Sequence, residues 1–229
     1  TDFRNNILHA FVLPSLIAAL VKHNGSIRRG DLISVIRTLY PFLKAELFLK
    51  WQDDELKDQI CAYVDALINA KLIAADAEDH LISPAPNSED HNQLVVLAAP
   101  VMQSLERYYM TLALITQRGS GNISIRQVEE LSHLVGQRLS VLYEFNSPEF
   151  FDKALFQSFM KVLTQQGYIR NNEDNAIVFD ENFQNVAQYA NLVLDDVTLQ
   201  MLQHITTFSD EELKESLDAV AAQQAKRRL

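Results

Sequence analysis

Apolar residues fall in long blocks along this chain, separated by short polar turns. The first block, ILHAFVLPSLIAALV at 7–21, is apolar at nearly every position. That describes a helix buried on most of its faces, spanning roughly 3–22. The block is too short to cross a bilayer, and His9, Pro14 and Ser15 interrupt it. Lying on a membrane surface requires a strongly polar, basic opposite face, which the block lacks. A second apolar helix is expected over 94–117. Polar-started helices are expected from about Arg29 and Ile125. Third helices are expected behind Asp53-Asp54-Glu55 and Pro148-Glu149, since carboxylates and proline suit a first helical turn. Each third helix runs into a hairpin pattern, KLIAADAEDHLISP turning at 76–79 and GYIRNNEDNAIVFD turning at 171–175.

The pattern repeats. Residues 25–73 slide onto 121–169 with no gap, and apolar positions and breakers coincide. Gly25 meets Gly121, Ile27 meets Ile123, Leu43 meets Leu139 and Ile73 meets Ile169. The expected fold is mainly α: two tandem winged-helix-like units, each with a small β-hairpin, plus a C-terminal helix. The first unit is placed at 1–86 and the second at 87–229. SPAPNSEDHNQ (83–93) forms the linker between them. The last helix starts at a capping box, Ser209 to Glu212, and ends in Lys226-Arg227-Arg228. Three basic residues are too few to anchor it to a membrane alone.

Charge narrows the function. The formal net charge is −10, which disfavours nucleic acid. The third helix of a winged helix is the usual DNA reader, and here it carries Asp53, Asp54, Glu55, Asp58 and Asp65 against Lys57 and Lys71. The single cysteine, Cys61, permits no internal disulfide and reads as a small buried hydrophobe in a reducing compartment. No two of the six histidines are three or four residues apart, so no helical metal pair is present, and no phosphate loop or GxSxG elbow appears. No catalytic, cofactor or metal residue is expected.

LKAELFLKW (43–51) mixes charge with large apolar side chains. Leu43 and Leu47 share a helical face, joined by Leu39 if the helix runs through Pro41. Lys44 and Glu46 are two residues apart and cannot face each other. The second copy has Ser140 and Leu142 in their places. The stretch reads as a core helix whose Lys44 and Glu46 mark a docking side. Glu149, Asp152 and Lys153 are candidates for the same kind of interface, with Glu149 and Lys153 spaced as a helical pair contributing about 0.2–0.5 kcal/mol.

Three segments carry a family resemblance: FRNNILHAFVLPSLIAALV, LYPFLKAELFLKWQDDEL and QRLSVLYEFNSPEFFDKALF. They strongly resemble the C-terminal region of the bacterial membrane-associated glycerol-3-phosphate 1-O-acyltransferases. The likeness runs from about Phe3 to Ile169 and is weakest over the linker and the last stretch. It implies a parent enzyme at the cytoplasmic face of the inner membrane. That enzyme moves an acyl group from acyl-CoA or acyl-acyl carrier protein to glycerol 3-phosphate, giving lysophosphatidic acid for phospholipid synthesis. The family signature is His-x4-Asp, a histidine base oriented by aspartate. Five residues after the histidines stand Pro14, Arg28, Ala85, Val96, Arg138 and Ser209, so the signature is not here. The family's catalytic and phosphate-binding motifs lie upstream of the matched region, so no such residue carries over. A start at Thr1 rather than methionine fits a processed chain or a fragment. The expectation is a non-catalytic C-terminal portion that packs on or regulates the missing catalytic domain, without cofactor. A free-standing winged-helix interaction module is the alternative.

Overall fold

A computed structural model describes residues 2–47, 49, 51–142, 151–215, 218 and 222. The chain is mainly helical. The order is α1 (Asp2–Asn24), β1 (Ser26–Arg28), α2 (Arg29–Leu47), α3 (Asp53–Asn69), β2 (Ala74–Ala75), β3 (His80–Ile82) and α4 (Glu89–Arg118). It continues with α5 (Ile125–Leu142), α6 (Lys153–Gln165), β4 (Ile169–Asn171), β5 (Ile177–Phe179), α7 (Glu181–Gln188), α8 (Ala190–Val193) and α9 (Asp196–Thr206). Two compact units emerge, Thr1–Leu105 with Tyr189–Asp195, and Glu106–Gln188 with Asp196–Leu229. The division falls inside α4. The expected boundary at 86/87 lies just ahead of that helix.

In the first unit, α1 packs on α2, α3 and α8. Leu16, Ile17 and Leu20 are fully buried, so the 7–21 block is core material over its described part, while Phe11 stays exposed. Among the described residues, no helix is long and apolar enough to cross a membrane. Helix α2 continues through Pro41 and buries Leu32, Ile36, Leu39 and Leu43, a one-turn spacing that makes a single apolar stripe. Helix α3 does the same with Leu56, Ile60, Val64 and Leu67. Its start is a capping box between Gln52 and Glu55. The strands form an antiparallel sheet in the order β1-β3-β2, with buried Ile27 opposite Leu81.

In the second unit, α5 buries Val128, Leu131, Val135 and Leu139. Helix α6 presents Phe156, Phe159, Met160 and Leu163, and Phe159 stacks on Tyr108 of α4 with ring centroids 4.6 Å apart. Strands β4 and β5 pair antiparallel.

Four sequence expectations need correction. Helix α6 starts at Lys153, not behind Pro148-Glu149, which lie outside the described residues. Asp152 is its cap and not a helical residue: its carboxylate accepts from the Ala154 and Leu155 N–H at 2.7 and 3.0 Å. Helix α4 begins at Glu89, inside the expected linker, because Ser88 Oγ accepts the His91 N–H at 3.1 Å and caps it. Cys61 is half-buried, not buried.

The 96-residue offset recurs in backbone detail. Arg28 pairs with His80 across β1 and β3, and Ser124 bridges Ala176 at the shifted positions. Gly25 and Gly121 have φ +70° and +84°, and Lys71 and Gly167 have +60° and +77°. In the first hairpin Asp76 Oδ1 accepts from the Glu78 and His80 N–H at 2.9 and 2.8 Å. In the second, Asn172 Oδ1 accepts from the Asp174 and Ala176 N–H at 3.0 and 2.9 Å. Both turns then pass a left-handed residue, Asp79 and Asn175.

Candidate functional site

The residues expected at an interface are tied within their own units. Lys44 Nζ donates to Trp51 O at 3.0 Å and to Gln52 Oε1 at 3.1 Å, closing the turn between α2 and α3. Glu46 accepts from Ser104 Oγ at 2.8 Å, so Lys44 and Glu46 do look in different directions. Asp152 caps α6, as described. Lys153 Nζ pairs with Glu129 at 2.7 Å, and its side chain is 61% exposed. Its expected partner Glu149 lies outside the described residues.

Sequence inspection missed a cluster on the first unit. His80 Nδ1 lies 3.1 Å from an Asp76 oxygen, and Arg28 Nε donates to His80 Nε2 at 3.3 Å. Asp76 is held below the ordinary aspartate range, first by the His80 backbone N–H, then by the Glu78 N–H and the imidazole. Aspartate beside histidine is the arrangement that orients a general base. Here the nitrogen that would take a proton already accepts one from Arg28. The pair comes from one hairpin, but Arg28 arrives from a strand fifty-two residues earlier in sequence, which no local pattern reveals.

Arg28 and His80 line a pocket of 460 Å³ with Ser26, Asp31, Ser34 and Tyr189, over an apolar wall that includes Ile27, Val35 and Leu192. Its 189–192 side is fixed to the end of α1. His23 Nε2 is 2.8 Å from Asn191 O, and Asn24 Nδ2 donates to Leu192 O at 2.8 Å.

The second unit carries an open groove of 790 Å³ between α5 and α9, with Leu134, Val141, Ile205 and Phe208 as its apolar floor. Arg138 locks one wall: its Nη1 donates to Ile205 O and Thr207 O at 3.0 and 2.7 Å, and its Nη2 pairs with Glu212. The guanidinium also lies 4.0 Å over the Phe208 ring. Glu212 closes the expected capping box with Ser209. Among the described residues, no group of three or more His, Cys, Asp or Glu is placed to hold a metal ion.

Comparison with known proteins adds to this geometry. A family model described as "Glycerol-3-phosphate acyltransferase C-terminal region" matches residues 1–172. A glycerol-3-phosphate acyltransferase of Pseudomonas aeruginosa (strain LESB58) is 37% identical over 224 residues, covering 96% of this chain and 27% of the relative. One from Pseudomonas paraeruginosa (strain DSM 24068 / PA7) is 39% identical over 190 residues, 83% of this chain and 23% of the relative. One from Ectopseudomonas mendocina (strain ymp) is 38% identical over 173 residues, 76% and 21%. The chain thus spans about a quarter of the length of the curated relatives it matches. No solved structure matches it.

Proposed function

The chain belongs to the glycerol-3-phosphate acyltransferase C-terminal region family, and we propose from that premise that it is the non-catalytic C-terminal portion of such an enzyme. The whole enzyme, on this reading, transfers an acyl group from acyl-CoA or acyl-acyl carrier protein to glycerol 3-phosphate at the inner face of a bacterial membrane, an early step of phospholipid synthesis. The observation that carries the non-catalytic reading is chemical. No histidine has an aspartate five residues on, and the Asp76–His80 pair has its outer nitrogen occupied by Arg28. The family's His-x4-Asp base is thus not in this chain, and His80 is already engaged as an acceptor.

Its architecture reads as two winged-helix-like units in tandem, serving as packing modules. What supports this is the helix–strand–helix–helix–hairpin order of the first unit, and the return of its turns and bridge 96 residues later. Their role is to pack on the catalytic domain or to regulate it. Lys44, Glu46, Glu149, Asp152 and Lys153 stay the candidate contacts. Those with described partners would meet that domain through the surface their own bonds leave open.

Acyl-transfer assays test the reading. The purified chain should give no transfer from acyl-CoA to glycerol 3-phosphate above a protein-free blank, while a full-length relative does. Turnover by the chain alone would overturn it.

A further inference from the structure

The pocket beside β1 holds polar groups that its fold does not require. The second copy builds the same turn and the same strand pairing with Ser124, Asn172 and Ala176 in place of Arg28, Asp76 and His80. The turn needs only an acceptor for two amides, and an asparagine serves as well as an aspartate. The imidazole and guanidinium of the first copy are additions. They are also aligned. A guanidinium is always a donor, so His80 Nε2 accepts from Arg28 and the imidazole proton sits on Nδ1, facing the Asp76 carboxylate. The carboxylate fixes the imidazole, and the imidazole fixes the guanidinium by its Nε edge. Among the described residues, the Nη hydrogens of Arg28 and the hydroxyls of Ser26 and Tyr189 have no protein partner.

We propose that this pocket binds an organic phosphate monoester. The phosphate sits on the Nη edge of Arg28, with Ser26 and Tyr189 donating to it. The carbon part lies against Ile27, Val35 and Leu192. A forked, permanently charged guanidinium suits tetrahedral phosphate oxygens. The volume of 460 Å³ exceeds what a bare phosphate fills, and lies within the range of about 300–1,000 Å³ typical of small-molecule sites. Asp31 is the carboxylate on the lining, and its charge opposes the phosphate. Binding is therefore moderate, and Asp31 becomes a lever. The same chemistry could come from a free phosphate ester or from a phospholipid headgroup. The site stands apart from the docking role and does not depend on it.

The test is an NMR and calorimetric titration of the whole 229-residue chain with phenyl phosphate and inorganic phosphate. Co-sedimentation with phosphatidylcholine vesicles, with and without phosphatidic acid, runs in parallel. Phenyl phosphate should shift the Arg28 side-chain Nε–H and the Leu192 amide saturably, and bind more tightly than inorganic phosphate. Arg28→Ala should weaken binding about tenfold or more, the loss of a charged hydrogen bond. Asp31→Asn should tighten it several-fold, and His80→Ala should weaken it while leaving the charge of Arg28 in place. Phosphatidic acid binding that disappears in Arg28→Ala assigns a headgroup. Phenyl phosphate binding alone assigns a free ester. No saturable shift at Arg28 up to about 10 mM, or an affinity unchanged in a folded Arg28→Ala chain, would overturn the site.

Discussion

Residues 25–82 and 121–178 share their hairpin turns and one strand pairing, yet differ where Tyr40 and Gly136 stand at equivalent places 96 residues apart. In the first, Tyr40 is 3% exposed, and its hydroxyl accepts the Trp51 N–H at 3.1 Å. Lys44 ties the same turn through Trp51 O and Gln52 Oε1. In the second, Gly136 stands at the position of Tyr40, and Phe151 stands where the first has Glu55. A Cβ added to Gly136 would sit 3.2 Å from the Phe151 Cβ, so Phe151 approaches the helix closely at the position where the first copy carries a tyrosine. Phe151 then meets His133 edge-on at 5.5 Å. One copy holds its corner with a helix residue reaching out by hydrogen bonds. The other brings a half-buried aromatic, Phe151, close to a glycine on the helix and against His133 and Phe156.

The contrast can be broken most forcefully at Tyr40. Tyr40→Ala should cost about 3–5 kcal/mol in urea unfolding followed by Trp51 fluorescence, because it opens a cavity the first copy has no Phe151 to fill. Gly136→Ala should stay within about 1 kcal/mol, since a better helix former is offset by the close approach to Phe151. Equal losses at both sites would erase the distinction.

A smaller effect isolates the hydroxyl. Tyr40→Phe should cost about 1 kcal/mol, the usual value of one hydrogen bond. Burial first, and the Glu55 charge after it, push the Tyr40 phenol from 10.0 up to about 12, against the lowering effect of the Trp51 N–H. A raised folded-state value means the contribution is complete below pH 10 and is lost as pH rises through about 12. Alkaline unfolding curves should carry that loss in the parent chain and lack it in Tyr40→Phe.

Acid separates the two hairpins. Asp76 titrates below the ordinary aspartate value, so its support for the first turn is present above that value and disappears as pH falls through the depressed one. Asn172 does not titrate. Amide exchange at His80 should accelerate in that acid window while exchange at Ala176 does not. Parallel acceleration would mean the turns fail for another reason. The smallest effect is expected at Lys153→Ala, where an exposed pair with Glu129 is removed, and melting should change by no more than about 0.5 kcal/mol.

What the sequence exposed was periodic or local. The apolar stripe through Leu39 and Leu43, the start of α3 at Asp53, the hairpin around 76–79 and the box at Ser209 all rest on neighbours within a turn or two. Proline and glutamate at 148–149 are also good first-turn residues, so the sequence places the start of α6 too early, and only the side-chain bonds of Asp152 choose between the two starts. The spacing pairs Lys153 with Glu149, whereas Glu129 on another helix lies 2.7 Å from it. Asp76 and His80 belong to one turn, but Arg28 joins them only when β1 pairs with β3. Such cross-strand pairs leave no spacing to read.

The claim that this chain docks on a catalytic portion is tested most directly by co-purification. A tagged Pseudomonas aeruginosa relative, shortened by the quarter that this chain matches, is mixed with the untagged chain. Equimolar retention of the chain is expected, weakened when Lys44 and Glu46 are both charge-reversed in a chain that still folds despite losing their bonds to Trp51, Gln52 and Ser104. A folded chain recovered wholly in the flow-through would contradict docking.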